Sequence, residues 1–504
     1  MQDAPFRLHE TTIADIHAAY RSGQLTCRAL TEWYLARIEA FDRGGPGINS
    51  VITVNERALA EADALDAEYA QRGPRGTLHG VPVLMKDQVD TVGMPTTLGS
   101  VLFKDYFPDQ DATVTTRLKE AGALILGKTT LGELGGGDAH GTLFGSTRNP
   151  YDLERTPGGS SGGSSAAIAA NLGAVSIGQE GLASIRRPSG WCSTVGMRPS
   201  LGMVSRAGAF GGWPSRAGSL GPMTRTVADA AKLLDVITGY DPADPSTAYG
   251  VGHAPASFTG ALDAAGLQGV RVGVLRTSMG WASEPDAEDF GQITEVFDRA
   301  VAELAAAGAE VVDPIEIRDL NLLLSKRMFE ANAESFVEWM SRSEKPPFTS
   351  FEELTGHPTY QEVMFRRSGG RPSPFSATHY EYLVARERLK ANLLTVMADL
   401  KLDAIVHKTV EHAPTLIADG VNPPYVNQKG APHLNTYLFE VPSISVPAGF
   451  TADRLPVGIT FLGRPFSDAA MLRYAYAYEQ STKHRRPPES APPLDGEPGS
   501  RDAA

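Results

Sequence analysis

Two serine-bearing segments and one lysine supply the residue types that acyl-transfer chemistry needs. The first segment spans residues 156–165, reads Thr-Pro-Gly-Gly-Ser-Ser-Gly-Gly-Ser-Ser, and runs into an alanine-rich helix start. Glycines permit backbone conformations that other residues cannot reach cheaply, and the free N–H groups of a helix start point back toward the preceding loop. A flexible linker is the alternative, but linkers seldom lead directly into an apolar helix. The segment therefore indicates a site around Ser160 that is formed mainly by backbone groups.

The second segment, residues 178–189, places Ser184 after a buried strand and a tight turn that contains glycine. A serine there can be exposed as a nucleophile while neighbouring N–H groups converge on an oxyanion, but taken alone the pattern favours a structural turn. The apolar run 81–85 is typical of a buried strand and ends on Lys86. Lysine can act as a base only when its pKa falls toward neutrality, which burial among apolar side chains achieves.

Ordered motifs along the chain, taken together, resemble the amidase signature family. The centre of the resemblance is Gly158 to Ala167, followed by Ser184-Ile185-Arg186 and by Gly196-Met197-Arg198-Pro199-Ser200. Supporting matches lie at residues 80–87, 148–152, 221–229, 441–449 and 455–465. The resemblance covers nearly the whole chain, except for a middle insertion and the C-terminal tail. It implies an α/β fold with a mixed, largely central β-sheet covered by helices on both faces, which the alternation of strands and helices also indicates.

The resemblance implies a catalytic Ser-Ser-Lys triad that needs no cofactor and no metal. Ser184 is the expected nucleophile, Ser160 the relay serine on a cis peptide bond, and Lys86 the base. The two serines are 24 positions apart, which is the spacing of the family. Ser161 is expected to steady Lys86 by hydrogen bonding, and Arg186 to support the site. The backbone N–H groups expected to bind the oxyanion belong to Gly181, Leu182, Ala183 and Ser184.

Departures from the family pattern indicate a divergent branch. Gln179-Glu180 stands where the family has Thr-Asp, Leu182-Ala183 replaces a Gly-Gly pair, and Ser219-Leu220 replaces Leu-Asp. The turn followed by Ser-Ile-Arg-Arg-Pro resembles carbamate-cleaving, urethanase-like amidases. We therefore expect a serine hydrolase that cleaves amide-type C–N bonds of small molecules, including amides, aryl carbamates and esters. Glu180 is expected to keep a structural role.

The substrate side of the site is less clearly marked in the sequence. Phe210 and Trp213 lie in a Gly-rich loop, and Met328 and Phe329 lie in the middle insertion. All four are expected to form an aromatic and apolar wall around the substrate, although such residues are as often part of a core. The loop 411–433 is expected to close over the same entrance.

Three alternative interpretations remain open at this point. Residues 158–162 also fit GxSxG, which would make Ser160 the nucleophile of an α/β-hydrolase-type esterase with His407, His412 or His433 as its base. Residues 122–129 fit the phosphate-binding pattern GxxxxGK[ST], but their apolar centre suits a buried strand instead. The third alternative is the glutaminase subunit of a tRNA-dependent amidotransferase, which works only with partner subunits.

Composition limits the remaining classes. A net charge of -13 argues against nucleic-acid binding, and the two cysteines, Cys27 and Cys192, favour a reducing compartment over a disulfide framework. No apolar run approaches the roughly 20 residues that span a membrane, and the N-terminus lacks the apolar centre of a secretory signal. We expect a cytoplasmic monomer or homodimer whose partner is a small amide or carbamate. Residues 1–75 are expected to form a helical segment packed on a catalytic domain of residues 76–483, with an insertion at about 321–378 and a disordered tail from 484 to 504.

Overall fold

An eleven-stranded mixed sheet forms the centre of the computed structural model, which describes residues 5–215, 218–327, 333–368, 377–434 and 437–499. The strands are β1 Val51–Val54, β2 Pro82–Lys86, β3 Leu124–Thr129, the small outlying pair β4 His140–Gly141 and β5 Gly145–Ser146, β6 Val175–Glu180, β7 Val195–Arg198, β8 Ser219–Thr224, β9 Arg271–Leu275, β10 Glu310–Ile315, β11 Ala404–Lys408, β12 Ser443–Phe450 and β13 Pro456–Leu462. The central sheet has the order β1-β3-β2-β6-β8-β7-β12-β13-β11-β9-β10.

Fifteen α-helices occur in the described part of the chain and flank this sheet. They are α1 Ile13–Ser22, α2 Cys27–Arg37, α3 Ala58–Arg72, α4 Thr113–Glu120, α5 Gly162–Ala169, α6 Arg186–Trp191, α7 Val227–Ile237, α8 Glu288–Ala306, α9 Leu320–Leu324, α10 Ala333–Met340, α11 Phe351–Gly356, α12 Pro358–Arg367, α13 His379–Asp399, α14 Ile417–Val421 and α15 Asp468–Thr482. The predicted α/β class with a mixed central sheet and flanking helices is confirmed. None of the helices in these ranges is long and apolar enough to cross a membrane.

Two buried parallel strands bring the predicted chemistry to one edge of the sheet. Strand β2 pairs in parallel with β6, and every residue of both is buried. Because the carboxyl ends of parallel neighbours meet at the same edge, Lys86 at the end of β2 lies near Glu180 at the end of β6. Helix α5 follows the Ser-Gly loop, and all of its residues are buried. Small side chains in α5 allow this close packing, and the loop before it is held at the same edge.

The N-terminal segment begins with two helices that are separated by a short turn. Helix α1 ends at Gly23, whose φ of 72° is the left-handed conformation that glycine adopts most easily. Helix α2 then begins after Thr26, the N-cap residue, whose side chain accepts a hydrogen bond from the Ala29 N–H. The division between this segment and a catalytic domain stays a prediction.

The middle insertion is built from short helices that cover loops at the site edge. Phe336, Trp339 and Met340 of α10 join a buried aromatic cluster with Phe103 and Phe210. The rings of Phe210 and Trp339 lie 5.4 Å apart at 73°. Since edge-to-face contacts of this kind add to the burial of apolar area, the insertion is fixed to the loops that it covers.

The C-terminal tail differs from its prediction. Arg37 Nη1 and Glu497 Oε2 lie 2.6 Å apart and both side chains are fully buried. Arg485 pairs with Glu10 at 2.7 Å and also donates to the Ser193 carbonyl. These ion pairs anchor residues 484–499 to the N-terminal helices, so the disorder predicted from the Pro-rich composition does not hold there. Residues 500–504 lie outside the described part of the chain.

Candidate active site

The centre of the site is a contact between the two predicted proton carriers. Lys86 Nζ donates to Ser160 Oγ at 2.7 Å and to the Gln179 carbonyl at 3.1 Å. Both Lys86 and Ser160 are fully buried. The peptide bond between Gly159 and Ser160 is cis, as the family resemblance implies. The structure thus brings together the residues predicted as base and relay.

Burial decides the protonation state of Lys86. Its removal from water is the largest cause of a pKa far below the ordinary lysine value. The negative charge of Glu180 opposes this effect, whereas the positive charges of Arg367 and Arg187 reinforce it. No carboxylate in the described ranges forms an ion pair with Lys86. A neutral amine at this position can accept a proton, which a charged ammonium cannot.

Ser161 acts on Lys86 only indirectly. Its hydroxyl donates to the Gln179 carbonyl at 3.1 Å and lies 3.2 Å from the Gln179 N–H. That same carbonyl accepts the hydrogen bond from Lys86. The expected direct bond between Ser161 and Lys86 is therefore replaced by a shared acceptor, because the end of β6 runs between the two side chains.

Ser184 is more accessible than the relay serine. It is half-buried, and its carbonyl accepts a hydrogen bond from the Ser161 N–H at 3.0 Å. The structure records no hydrogen bond between the Ser160 and Ser184 hydroxyls. The N–H groups of Leu182, Ala183 and Ser184 donate to no acceptor within the described ranges. They are therefore available to a substrate oxygen.

The turn that carries Ser184 is held by a buried ion pair. Glu180 Oε2 accepts from the N–H groups of Ile185 and Arg186 at 2.8 and 3.0 Å, and its Oε1 lies 2.9 Å from Arg186 Nε. Burial would raise the pKa of Glu180, but the charges of Arg186 and Arg198 and these N–H groups hold it below its ordinary value. The carboxylate stays ionised and fixes the backbone on both sides of the turn. Arg186 and Glu180 therefore have the supporting positions that the sequence suggests.

Arg187 is a site residue that the sequence reasoning missed. Its Nη2 lies 2.9 Å from Asp138 Oδ1 and 2.7 Å from the Gly159 carbonyl oxygen. Asp138 and Arg187 are far apart in sequence and belong to no shared motif, so no local pattern relates them. The repeated arginine in Ser-Ile-Arg-Arg-Pro was the one available signal.

The comparisons with known proteins show the family to which the chain belongs. The family model described as Amidase matches residues 29–472. A glutamyl-tRNA(Gln) amidotransferase subunit from Gloeobacter violaceus is 35% identical over 497 residues, which cover 95% of this chain and 99% of that protein. This chain belongs to the amidase family. Among solved structures, the chain is similar to the peptide amidase of Stenotrophomonas maltophilia. The TM-score is 0.83 and the identity 34%, and the match covers 97% of this chain and 100% of that one. A bacterial aryl acylamidase of the amidase signature family gives a TM-score of 0.75 and 26% identity, covering 97% and 100% of the two chains.

A pocket of this amidase-family chain has a wall that lies close to Gly159, the residue before the relay serine. It is lined by residues of three segments, namely Glu133, Gly136, Gly137, Asp138 and His140 from the first, Val363, Arg366 and Arg367 from α12, and Gly420, Val421 and Asn427 from the predicted entrance loop. A side chain at Gly159 would lie 2.3 Å from the Gly137 carbonyl oxygen, which shows how closely this wall approaches the cis peptide. Asn427 Oδ1 also accepts from the Asp138 N–H at 3.0 Å. The loop 411–433 therefore contributes to the wall of this pocket.

The four residues predicted to bind substrate lie in different environments. Phe210 is buried in the aromatic cluster that holds the insertion, so it is mainly a core residue. Trp213 is half-buried on the same loop and remains a candidate for contact with substrate. Met328 and Phe329 lie outside the described residues. Sequence patterns missed the cationic part of the pocket because Arg366 and Arg367 carry no motif of their own.

The GxSxG and GxxxxGK[ST] matches do not form the sites that these patterns mark in other proteins. The Ser160 hydroxyl contacts Lys86 and none of the three candidate histidines. His407 Nδ1 contacts the Lys408 carbonyl, and His412 Nδ1 lies 3.1 Å from Asp289. The GxxxxGK[ST] match overlaps the buried strand β3, so nucleotide binding there is not supported.

Proposed function

We propose that the chain is a serine hydrolase that cleaves small-molecule amides, and also aryl carbamates and esters, through an acyl-enzyme on Ser184. One observation carries the proposal. A fully buried lysine without a carboxylate partner in the described ranges contacts the hydroxyl of Ser160, and the following residue, Ser161, donates its N–H to the carbonyl of the half-buried Ser184. This is the arrangement of a base, a relay and a nucleophile.

The first half-reaction forms the acyl-enzyme. Ser184 Oγ attacks the substrate carbonyl carbon and forms an O–C bond, while its proton passes to Ser160 and the Ser160 proton passes to Lys86 Nζ. The carbonyl oxygen becomes an oxyanion that the free N–H groups of residues 182–184 stabilise, each by about 3–4 kcal/mol. The C–N bond then breaks, and the leaving nitrogen receives the proton from Lys86 through Ser160. An amine leaves, and the acyl group stays on Ser184.

The second half-reaction regenerates the enzyme. Water attacks the acyl carbon and gives one proton to Lys86 through Ser160. The bond between Ser184 Oγ and carbon breaks, and Ser184 Oγ takes that proton back. A carboxylic acid leaves from an amide or ester, and a carbonic acid half-ester leaves from a carbamate cleaved at its C–N bond. For an ester, an alcohol takes the place of the amine as the leaving group in the first half-reaction. This route requires the Ser184 hydroxyl to adopt a rotamer about its Cα–Cβ bond that faces Ser160.

Serine substitutions test the assignment of the nucleophile. We expect Ser184→Ala to lower kcat/KM for 4-nitroacetanilide by more than about 1,000-fold and to abolish labelling by a fluorophosphonate. Ser341→Ala, at an exposed serine of the insertion, serves as the matched control and should leave both unchanged. Labelling that persists in Ser184→Ala and disappears in Ser160→Ala would support the esterase alternative with Ser160 as nucleophile.

Substrate preference is tested on matched compounds. An aryl amide, an aliphatic amide, an aryl ester and an aryl carbamate with the same leaving group compare the four bond types directly. We expect turnover of the aryl amide and aryl carbamate by the purified chain. Turnover of free glutamine alone would contradict this substrate class.

A second candidate is glutamine hydrolysis as part of an amidotransferase. The relative from Gloeobacter violaceus carries that name and matches 95% of this chain. In addition, Arg366 and Arg367 place positive charge in the pocket, where a carboxylate-bearing amide could bind. The turn with Leu182 and Ala183 argues for the first proposal. Glutaminase activity that appears only with partner subunits would favour the second.

Further properties follow from the same proposal. We propose a cytoplasmic enzyme that acts as a monomer or homodimer on small molecules, with no nucleic-acid or membrane partner. Both cysteines are buried and free, and burial raises the pKa of each thiol to about 12, so neither is poised for oxidation. Light scattering of the purified chain distinguishes a monomer or dimer from a larger complex.

A further inference from the structure

One buried guanidinium connects the nucleophile turn with the relay peptide. Arg187 lies in the first turn of α6, and its N–H donates to the Ala183 carbonyl at 2.9 Å. Its side chain reaches the Gly159 carbonyl oxygen with two donors, Nε at 3.0 Å and Nη2 at 2.7 Å. Because this carbonyl and the Ser160 N–H belong to one peptide unit, the guanidinium fixes the orientation of the relay serine. The Ser160 carbonyl is held separately by the Gly132 N–H at 2.9 Å.

The other side of the guanidinium is tied to the pocket wall. Nη2 lies 2.9 Å from Asp138 Oδ1 and donates to the Gly137 carbonyl at 3.2 Å. The Trp191 ring lies against it, with 5.6 Å between the guanidinium carbon and the ring centroid. Arg187 is 2% exposed, so these contacts are made away from water. A planar fork makes several bonds in fixed directions, and a lysine ammonium at this position could not reproduce them.

We propose that Arg187 is a positioning residue, which aligns Ser160 with Lys86 and with the pocket wall at Asp138. The inference rests on the proposed function, because alignment matters only if this pair carries protons for Ser184. It extends that function to a residue that touches neither the reacting atoms nor Lys86 directly. Its effect on catalysis is transmitted through the Gly159 carbonyl.

The charge of Arg187 gives a second, separable effect. Burial is the main cause of the lowered pKa of Lys86, and the charges of Glu180, Arg367 and Arg187 also act on it. Loss of the Arg187 charge leaves Asp138 as an unpaired carboxylate and raises the pKa of Lys86. Neutralisation of Asp138 leaves the arginine charge uncompensated, and we expect it to lower that pKa. The reaction needs neutral Lys86, so its rate falls at low pH; we call this part of the pH–rate profile the acidic limb. The acidic limb should move to higher pH when Arg187 loses its charge and to lower pH when Asp138 loses its charge.

Three variants separate alignment from charge. The probe is fluorophosphonate labelling of Ser184, in which an Oγ–P bond forms, the P–F bond breaks, fluoride leaves and the serine proton passes to Lys86. We expect Arg187→Met to move the acidic limb of the labelling rate up by about one pH unit, and Asp138→Asn to move it down by a similar amount. Arg187→Lys should keep the limb in place while kcat for 4-nitroacetanilide falls by about 10- to 100-fold.

The outcomes distinguish the inference from the function on which it rests. Wild-type kcat in Arg187→Lys, together with an unmoved limb in Asp138→Asn, would overturn the positioning role while the proposed hydrolase remains. Absence of labelling in the wild type would overturn the proposed function itself. If Arg187→Met does not fold, Arg187→Lys and Asp138→Asn still decide the question, since one keeps the charge and the other keeps the guanidinium.

Discussion

Replacement of Lys86 by methionine is expected to stabilise the fold while it abolishes hydrolysis. Lysine in an unfolded chain has a pKa of about 10.4, so to hold Lys86 neutral in the folded protein at pH 7.5 costs about 4 kcal/mol. Methionine removes that cost and has a similar shape, but it loses the hydrogen bonds to Ser160 and to the Gln179 carbonyl, each worth about 1 kcal/mol. The expected net gain in the free energy of unfolding is about 2 kcal/mol.

Urea unfolding at several pH values measures this gain. Between the folded and unfolded pKa values of Lys86, the unfolded state binds more protons than the folded state. The stability of the wild type therefore rises with pH in this window, and the advantage of Lys86→Met shrinks by about 1.4 kcal/mol per pH unit between pH 7.5 and 10. A fluorophosphonate labelling assay should at the same time show loss of reaction at all pH values.

Lys128 provides the matched control. It is also a fully buried lysine, but it lies 3.5 Å from Asp87 and donates to Thr96 Oγ1 at 3.0 Å. Lys128→Met leaves a buried carboxylate without its partner and should lower stability by about 3–5 kcal/mol. If Lys86→Met also loses stability, or if its effect does not vary with pH, then Lys86 is charged in the folded protein and cannot be the base.

Two further predictions use matched pairs of variants. Trp213→Ala is expected to change the ratio of kcat/KM between aryl and aliphatic amides with little effect on the unfolding midpoint, whereas Phe210→Ala should destabilise the fold by about 3–5 kcal/mol; equal effects on stability would place both residues in the core. Arg37→Met leaves Glu497 buried without its partner and should cost about 3–5 kcal/mol in urea unfolding, whereas Arg28→Met, at an exposed ion pair, should leave the midpoint unchanged. An unchanged midpoint in Arg37→Met would show that the tail does not stabilise the fold.

The parts of the structure that follow local rules were predictable from the sequence. The apolar run before Lys86 forms the buried strand β2, and the Gly-rich loop ahead of α5 places Ser160 beside that lysine. The tail was not predictable, because the partner of Glu497 lies 460 residues away at Arg37, and composition carries no information about such a pairing.

The same limit applies to the electrostatics of the site. Asp138 and Arg187 form their ion pair across the pocket wall, and no periodicity relates them. Phe210 was assigned to the pocket from its residue type, yet the insertion covers it with Trp339. Local patterns report which face of a strand or helix is buried, but they do not report which distant segment covers it.

The two buried lysines show how neighbouring strands create opposite environments. Lys128 of β3 is paired in register with Met85, whereas Lys86 is paired with Thr129, so the two amines point to opposite faces of the sheet. Asp87 follows Lys86 directly, and a carboxylate so close in sequence could keep the catalytic amine charged. Instead, Asp87 accepts hydrogen bonds from Thr97 and forms its ion pair with Lys128.

This arrangement separates the charge of Asp87 from Lys86. It also gives the lysine of the GxxxxGK[ST] match a role that has nothing to do with phosphate, since Lys128 neutralises the one carboxylate adjacent in sequence to the base. Lys128→Met should therefore raise the pKa of Lys86 as well as lower stability, and its acidic limb in the labelling assay should move to higher pH. If the acidic limb of the labelling rate stays at the same pH in Lys128→Met, the charge of Asp87 does not affect the pKa of Lys86, whether or not Lys128 is present.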